Sequence, residues 1–182
     1  VDLKNRGARK LILDLRGNGG GSLAEAVDIV GLFVPKGTQV VSTRGKLSQA
    51  SQTFKTQREP LDLTIPLVVL VDGQSASASE IVAGAIQDLD RGVVMGWRTF
   101  GKGLVQSVRE LPYNSSLKIT TSKYYTPSGR CVQKIDYSKA VRSKGEEDKT
   151  ESAPGEFYTL SGRPVCVSVS LCSNKKKETP SG

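Results

Sequence analysis

Three serines and one lysine carry the chemistry this sequence can offer. Ser75, Ser77 and Ser79 alternate with alanine directly after the apolar run 66–71 and the turn signal Asp72-Gly73. Lys102 follows, held between two glycines and beside Phe100, Leu104 and Val105. A serine hydroxyl becomes a strong nucleophile when a neighbouring base takes its proton. The chain contains no histidine, which excludes a Ser-His-Asp or Cys-His mechanism supplied by this chain alone. A lysine placed in an apolar setting is a base that remains, because burial favours the neutral amine. Any of the three serines fits this role, and each is equally at home as a helix cap. Gln106, four residues past the lysine, can hydrogen-bond and orient its amine. Asp14 and Asp88 read as members of ion pairs or caps rather than as acid–base groups.

A second candidate lies far upstream. Arg16-Gly-Asn-Gly-Gly-Gly-Ser22 is a glycine-rich turn. Its amides suit an oxyanion or a phosphate, or the turn simply reverses the chain. Neither a GxGxxG fingerprint nor a GK[ST] loop is matched.

These groups need elements to hold them. The nearly continuous apolar run in 10–15 predicts a strand buried on both faces. Apolar spacing over 23–34 predicts a helix stopped by Pro35-Lys36-Gly37. Residues 39–43 read as a short strand, and 44–64 as a polar surface excursion with room for a short hairpin. Strand 67–71 and helix 78–89 repeat the strand–turn–helix unit, and 93–96 is another strand. Residues 104–111 and 117–125 predict an antiparallel pair. Strands interleaved with helices and followed by strands indicate an α/β fold with a mixed sheet. Residues 1–7 read as the end of a helix. The charged stretch 138–155 reads as a flexible loop, and 156–182 as a divergent tail, partly disordered, with one short strand at 157–160.

Composition narrows the partners. The 182 residues carry a formal net charge of +8. The basic residues are scattered, apart from Lys175-Lys176-Lys177, and aromatics are few, so no nucleic-acid partner is expected. Cys131, Cys166 and Cys172 form no CxxC, and without histidine they complete no zinc site. A Cys166–Cys172 disulfide is one option in an oxidising compartment. No apolar run is long enough to span a bilayer.

Four motifs in order, Leu13-Asp-Leu-Arg-Gly-Asn-Gly-Gly-Gly21, Ser75-Ala-Ser-Ala-Ser-Glu-Ile81, Ala83-Gly-Ala-Ile-Gln-Asp88 and Thr99-Phe-Gly-Lys-Gly-Leu-Val-Gln106, resemble the carboxy-terminal processing proteases, or tail-specific proteases. Tyr124-Tyr-Thr-Pro-Ser-Gly129 is similar to the strand and turn that follow in that family. The resemblance implies a crotonase- and ClpP-like ββα core with a mixed β-sheet and flanking helices, spanning 1–137. It implies a serine endopeptidase that needs no cofactor and cleaves proteins near a free C-terminus. The family's nucleophile maps to Ser77, its lysine base to Lys102 and its assisting glutamine to Gln106. The oxyanion hole maps to the amides of Gly21 and Ala78. A PDZ domain is expected before Val1, and the compartment expected is the bacterial periplasm or envelope, or the thylakoid lumen. The family usually has proline where this chain has Gly19, and 166–182 does not match. A crotonase-like acyl-CoA enzyme and a catalytically impaired peptide-binding scaffold are the alternatives on the same residues.

Overall fold

A computed structural model describes residues 2–134 and 157–165. The elements run α1 (Asp2–Asn5), β1 (Leu11–Asp14), α2 (Leu23–Gly31), β2 (Gln39–Gly45), a 3-10 turn (Ser48–Ala50), β3 (Gln52–Lys55), β4 (Leu67–Val71), α3 (Ala78–Asp88), β5 (Val93–Gly96), β6 (Leu104–Leu111), β7 (Ser115–Tyr125), β8 (Phe157–Tyr158) and β9 (Pro164–Val165). The order is that of a mixed α/β fold, as the interleaved patterns predict. The expected flexible loop, the Lys175–Lys177 run and both distal cysteines lie outside the described residues.

Two sheets organise the chain. The first is parallel, in the order β1-β4-β5, with Leu13 opposite Val69 and Val69 opposite Val94. The second is antiparallel, in the order β3-β2-β7-β6. The β6–β7 hairpin turns through Tyr113 and Asn114, both at positive φ (62° and 52°), the geometry that matches strand twist in tight hairpins. The excursion after residue 44 does contain a hairpin strand, β3, which pairs with β2.

Helix α3 is the centre of the core. Every residue from Ala78 to Asp88 is buried. Ile81, Val82, Ala85 and Ile86 pack with Val69, Val71, Val27 and Val30. Burial of each large aliphatic side chain contributes about 1.5–3 kcal/mol. Helix α2 begins at Ser22, whose hydroxyl accepts from Glu25 N–H at 3.4 Å, and turns Ala26, Val27 and Val30 inward. It ends at Gly31, earlier than the periodicity suggests, because residues 32–34 form a turn ahead of Pro35.

The parallel sheet is buried on one face only. Along β1 burial alternates, and Ile12 is 65% exposed. Its register neighbours on the same face are Val68 and Val93, and Val93 is 51% exposed. The expectation of a β1 buried on both faces is therefore corrected: among the described residues the helices cover only the side lined by Val69 and Val71.

The far end of α3 is closed by an ion pair. Arg130 and Asp88 are both fully buried and bonded to each other. Arg130 also donates to Gln87 Oε1 at 3.0 Å, and Ser128 N–H donates to Asp88 Oδ2 at 3.0 Å. Burial pushes the Arg130 guanidinium below its usual pKa, against the pull of Asp88. The β8–β9 hairpin docks at the same end, where Leu160 N–H donates to Asp88 O and Arg163 pairs with Asp90. Asp88 is thus an ion-pair residue, as its sequence context suggests. So is Asp14, whose carboxyl is lowered to about 2 by its paired Arg16.

Candidate active site

The three serines, indistinguishable by composition, have different surroundings. Ser75 is fully buried. Its hydroxyl donates to Leu15 O at 2.7 Å and accepts from Asp72 N–H at 2.9 Å, so it ties the ends of β1 and β4 together. Ser79 is buried in the first turn of α3. Ser77 is half-buried and sits at φ 56°, ψ −116°. A non-glycine residue held there costs on the order of 1–3 kcal/mol. The conformation lies at a sharp strand-to-helix turn, the arrangement that lifts a serine hydroxyl out of the chain.

The glycine-rich turn lies against this serine. Gly20 is at φ 97°, and a Cβ there would come within 2.6 Å of Ala76 O, 2.8 Å of Ser77 Cβ and 2.9 Å of Ala78 N. The contact leaves no room for a side chain. Ala76 N–H donates to Asn18 O at 3.0 Å, and Gly20 N–H donates to Asn18 Oδ1 at 2.9 Å. Ala78 is the first residue of α3, so its N–H has no acceptor within the helix. Gly21 and Ala78 both line a cavity of about 130 Å³ between α2 and α3, whose floor includes Leu15, Ala26 and Val82. A wider polar depression of about 360 Å³ on β2 and β3 touches none of these residues.

Lys102 lies in the loop between β5 and β6. Its glycine neighbours are there for close approach, as their placement suggests. A Cβ on Gly101 would come within 2.4 Å of Lys134 Cβ, and one on Gly103 within 2.3 Å of Gln133 N. The loop is bonded to that segment through Lys134 N–H to Gly101 O and Gly103 N–H to Gln133 Oε1. The side chain of Lys102 is exposed, however, and Phe100 is 60% exposed. The apolar setting expected from its sequence neighbours is not formed by the described residues. Packing acts on the lysine's backbone and leaves its amine in solvent reach. Gln106 is exposed on edge strand β6, just past a register shift between Val105 and Gln106. Among the described residues no hydrogen bond joins the side chains of Ser77, Lys102 and Gln106.

The serine and lysine segments are joined by the Phe100 N–H to Ser75 O bond at 3.0 Å and by Glu80, a residue that local sequence pattern does not single out for chemistry. It is fully buried. Oε1 accepts from Thr99 Oγ1 and Gly101 N–H, both at 2.7 Å. Oε2 accepts from Ser77 N–H and Lys102 N–H, both at 2.8 Å. Four donors around one carboxylate satisfy a charge that burial would otherwise penalise heavily. The signal available in sequence was the Ser77-x-x-Glu80 spacing of a capping box.

Comparison with known proteins adds the last observations. The pattern of peptidase family S41 matches residues 1–141. A carboxy-terminal-processing protease of Bartonella bacilliformis is 46% identical over 124 residues, covering 68% of this chain and 28% of that protein. A chloroplastic carboxyl-terminal-processing peptidase 1 of Arabidopsis thaliana is 42% identical over 126 residues, covering 69% and 26%. The solved photosystem II D1 C-terminal processing protease superposes with a TM-score of 0.65 at 39% identity, over 74% of this chain and 34% of that one. The chain thus spans about a third or less of the length of these relatives.

Proposed function

Since the chain belongs to peptidase family S41, we propose that it is the catalytic core of a serine endopeptidase that cleaves protein substrates near their C-termini with a Ser77–Lys102 pair. The observation that carries this reading is the strained, half-buried Ser77 bound through Glu80 to the Lys102 loop.

In this mechanism Ser77 Oγ attacks the scissile carbonyl carbon while its proton passes to the side-chain nitrogen of Lys102, acting as general base. The carbonyl π electrons move to oxygen, and the oxyanion accepts from the N–H groups of Gly21 and Ala78. Each such donor is worth about 3–4 kcal/mol in comparable sites. The tetrahedral intermediate collapses, the C–N bond breaks, and the Lys102 ammonium protonates the leaving amine. Water then attacks the acyl-serine, with Lys102 taking its proton; the second tetrahedral intermediate collapses, the C–Oγ bond breaks, Lys102 returns the proton to Ser77 Oγ, and the new carboxyl terminus departs. Gln106 positions the lysine amine. A substrate-recognising PDZ domain upstream and an extracytoplasmic compartment belong to the same reading. Among the described residues no helix is long and apolar enough to cross a membrane.

The test is covalent labelling of the full-length protein with a fluorophosphonate, followed by peptide mapping. An adduct on Ser77, lost in Ser77→Ala and strongly slowed in Lys102→Ala, supports the assignment. Labelling at another serine, or unchanged cleavage of a C-terminal peptide by either variant, overturns it. An acyl-CoA enzyme would show neither adduct nor cleavage.

A further inference from the structure

Asp72 stands at the end of β4, outside the residues given a chemical role above, yet it holds more of the site's backbone than any group except Glu80. Its Oδ1 accepts from Gly17 N–H, Gln74 N–H and Ser75 N–H, each at 3.0 Å. Its Oδ2 lies 3.1 Å from the same Gly17 nitrogen. Gly17 opens the glycine-rich turn, while Gln74 and Ser75 open the serine turn. One carboxylate therefore fastens the two turns that present Gly21 and Ala78. The tie continues through the Ala76–Asn18 and Gly20–Asn18 bonds.

We infer that Asp72 is a positioning residue that sets the separation of the Gly21 and Ala78 amides. This rests on the reading of those two amides as the oxyanion donors. Two N–H groups stabilise a developing oxyanion only if they are already aimed when it forms. Gly21 belongs to a loop with few side chains of its own, so its aim must be imposed from outside. Asp72 reaches that loop from β4, the strand whose other end is fixed in the parallel sheet. Most of the contact is made by lone pairs on Oδ1, with Oδ2 touching only the Gly17 N–H that Oδ1 already accepts. Its geometry calls for an acceptor rather than for a charge, and asparagine keeps one in place.

The experiment uses the full-length protein with Asp72→Ala and Asp72→Asn. Asp72→Ala is expected to lower kcat by about 10–100-fold, a fraction of the loss seen when an oxyanion donor is deleted outright. KM is expected to change by less than about 3-fold, since ground-state binding is not addressed. Affinity for a peptidyl boronate should fall in parallel, and Asp72→Asn should restore most of both. Amide hydrogen exchange should speed up in residues 17–21 and 74–78 of the alanine variant while α2 and α3 keep their protection. Turnover and exchange unchanged in Asp72→Ala would overturn the inference alone. A collapse of protection throughout α3, unrelieved by asparagine, would also overturn it, by showing a general structural role. A wild-type protein that neither cleaves nor binds boronate would sink the protease reading instead. In that case the exchange pattern still decides whether Asp72 fastens the two turns.

Discussion

Ser77 and Lys102 meet at a single atom: Oε2 of Glu80 accepts the backbone N–H of each at 2.8 Å. The serine and lysine segments are held together by this shared acceptor and by the Phe100 N–H to Ser75 O bond at 3.0 Å, and among the described residues not by any bond between the Ser77 and Lys102 side chains. Replacing Glu80 should therefore separate the chemistry from the fold only partly. Glu80→Gln keeps one acceptor oxygen and turns an NH₂ toward two N–H donors. We expect a stability loss of about 1–3 kcal/mol, the cost of buried polar groups left unmatched, and at least about 100-fold slower labelling of Ser77. Denaturant unfolding and fluorophosphonate kinetics on one preparation measure the two effects. Labelling at the wild-type rate would show that the shared acceptor has no part in the chemistry.

Gly20 and Gly19 provide a matched pair of substitutions. Alanine at Gly20 meets Ala76 O at 2.6 Å and starts from φ 97°, whereas alanine at Gly19 meets no atom within 4 Å. Gly20→Ala should cost about 1–3 kcal/mol and displace the serine turn, abolishing cleavage. Gly19→Ala should fall within about 0.5 kcal/mol of the wild type. Melting temperatures and peptide cleavage of both variants check this. Equal behaviour would mean that the two turns do not touch in solution.

Removal of one partner of the buried Arg130–Asp88 pair leaves the other charged and dry. Arg130→Ala should destabilise by about 3–5 kcal/mol. The loss should appear first as faster exchange at the C-terminal end of α3, where Asp88 and Gln87 lie. A change under about 1 kcal/mol would argue against burial of the pair.

Acid should act late. Asp62 is held well below the usual carboxylate range, chiefly by Lys4 and by the Thr64 and Ile65 amides. Asp72 is lowered chiefly by the Gly17 amide, against some desolvation. Asp14 is lowered to about 2 by Arg16. For each, the folded pKa lies below the unfolded value of about 3.9, so the unfolded chain binds more protons in between. Their stabilisation is then complete above about pH 5 and fades as the pH falls through 4 toward the folded values. A melting temperature flat from pH 7 to 5 and declining below about 4, less steeply in Asp62→Asn, is the expected profile. A decline already evident at pH 6 would contradict it.

Much of the scaffold can be read from local pattern. The run 67–71, the turn at Asp72-Gly73 and the helix from Ala78 all lie where periodicity puts them, because each is a short-range regularity. Strand β3 is hidden in a polar stretch because Gln52–Lys55 is an edge strand with three exposed residues and little apolar signal. The choice among three serines is not local either. Ser75 is spent on Leu15, 60 residues away, and no spacing rule reveals that. The setting of Lys102 departs from its sequence context for the converse reason. Phe100 is its neighbour in sequence, but it turns outward, and the atoms packed on the loop come from residues 132–134. The Ser77-x-x-Glu80 spacing is a local capping signal, while the bonds of Glu80 to Thr99, Gly101 and Lys102 are long-range and leave no local trace.

The bonds from Glu80 to Thr99 and Lys102 close loops of 19 and 22 residues, and the chain between includes β5, which pairs with β4. Local structure alone therefore does not bring the Lys102 loop to the Ser77 turn. Under the Ser77–Lys102 proposal, the catalytic pair is therefore a product of tertiary folding, and activity waits on the completed core.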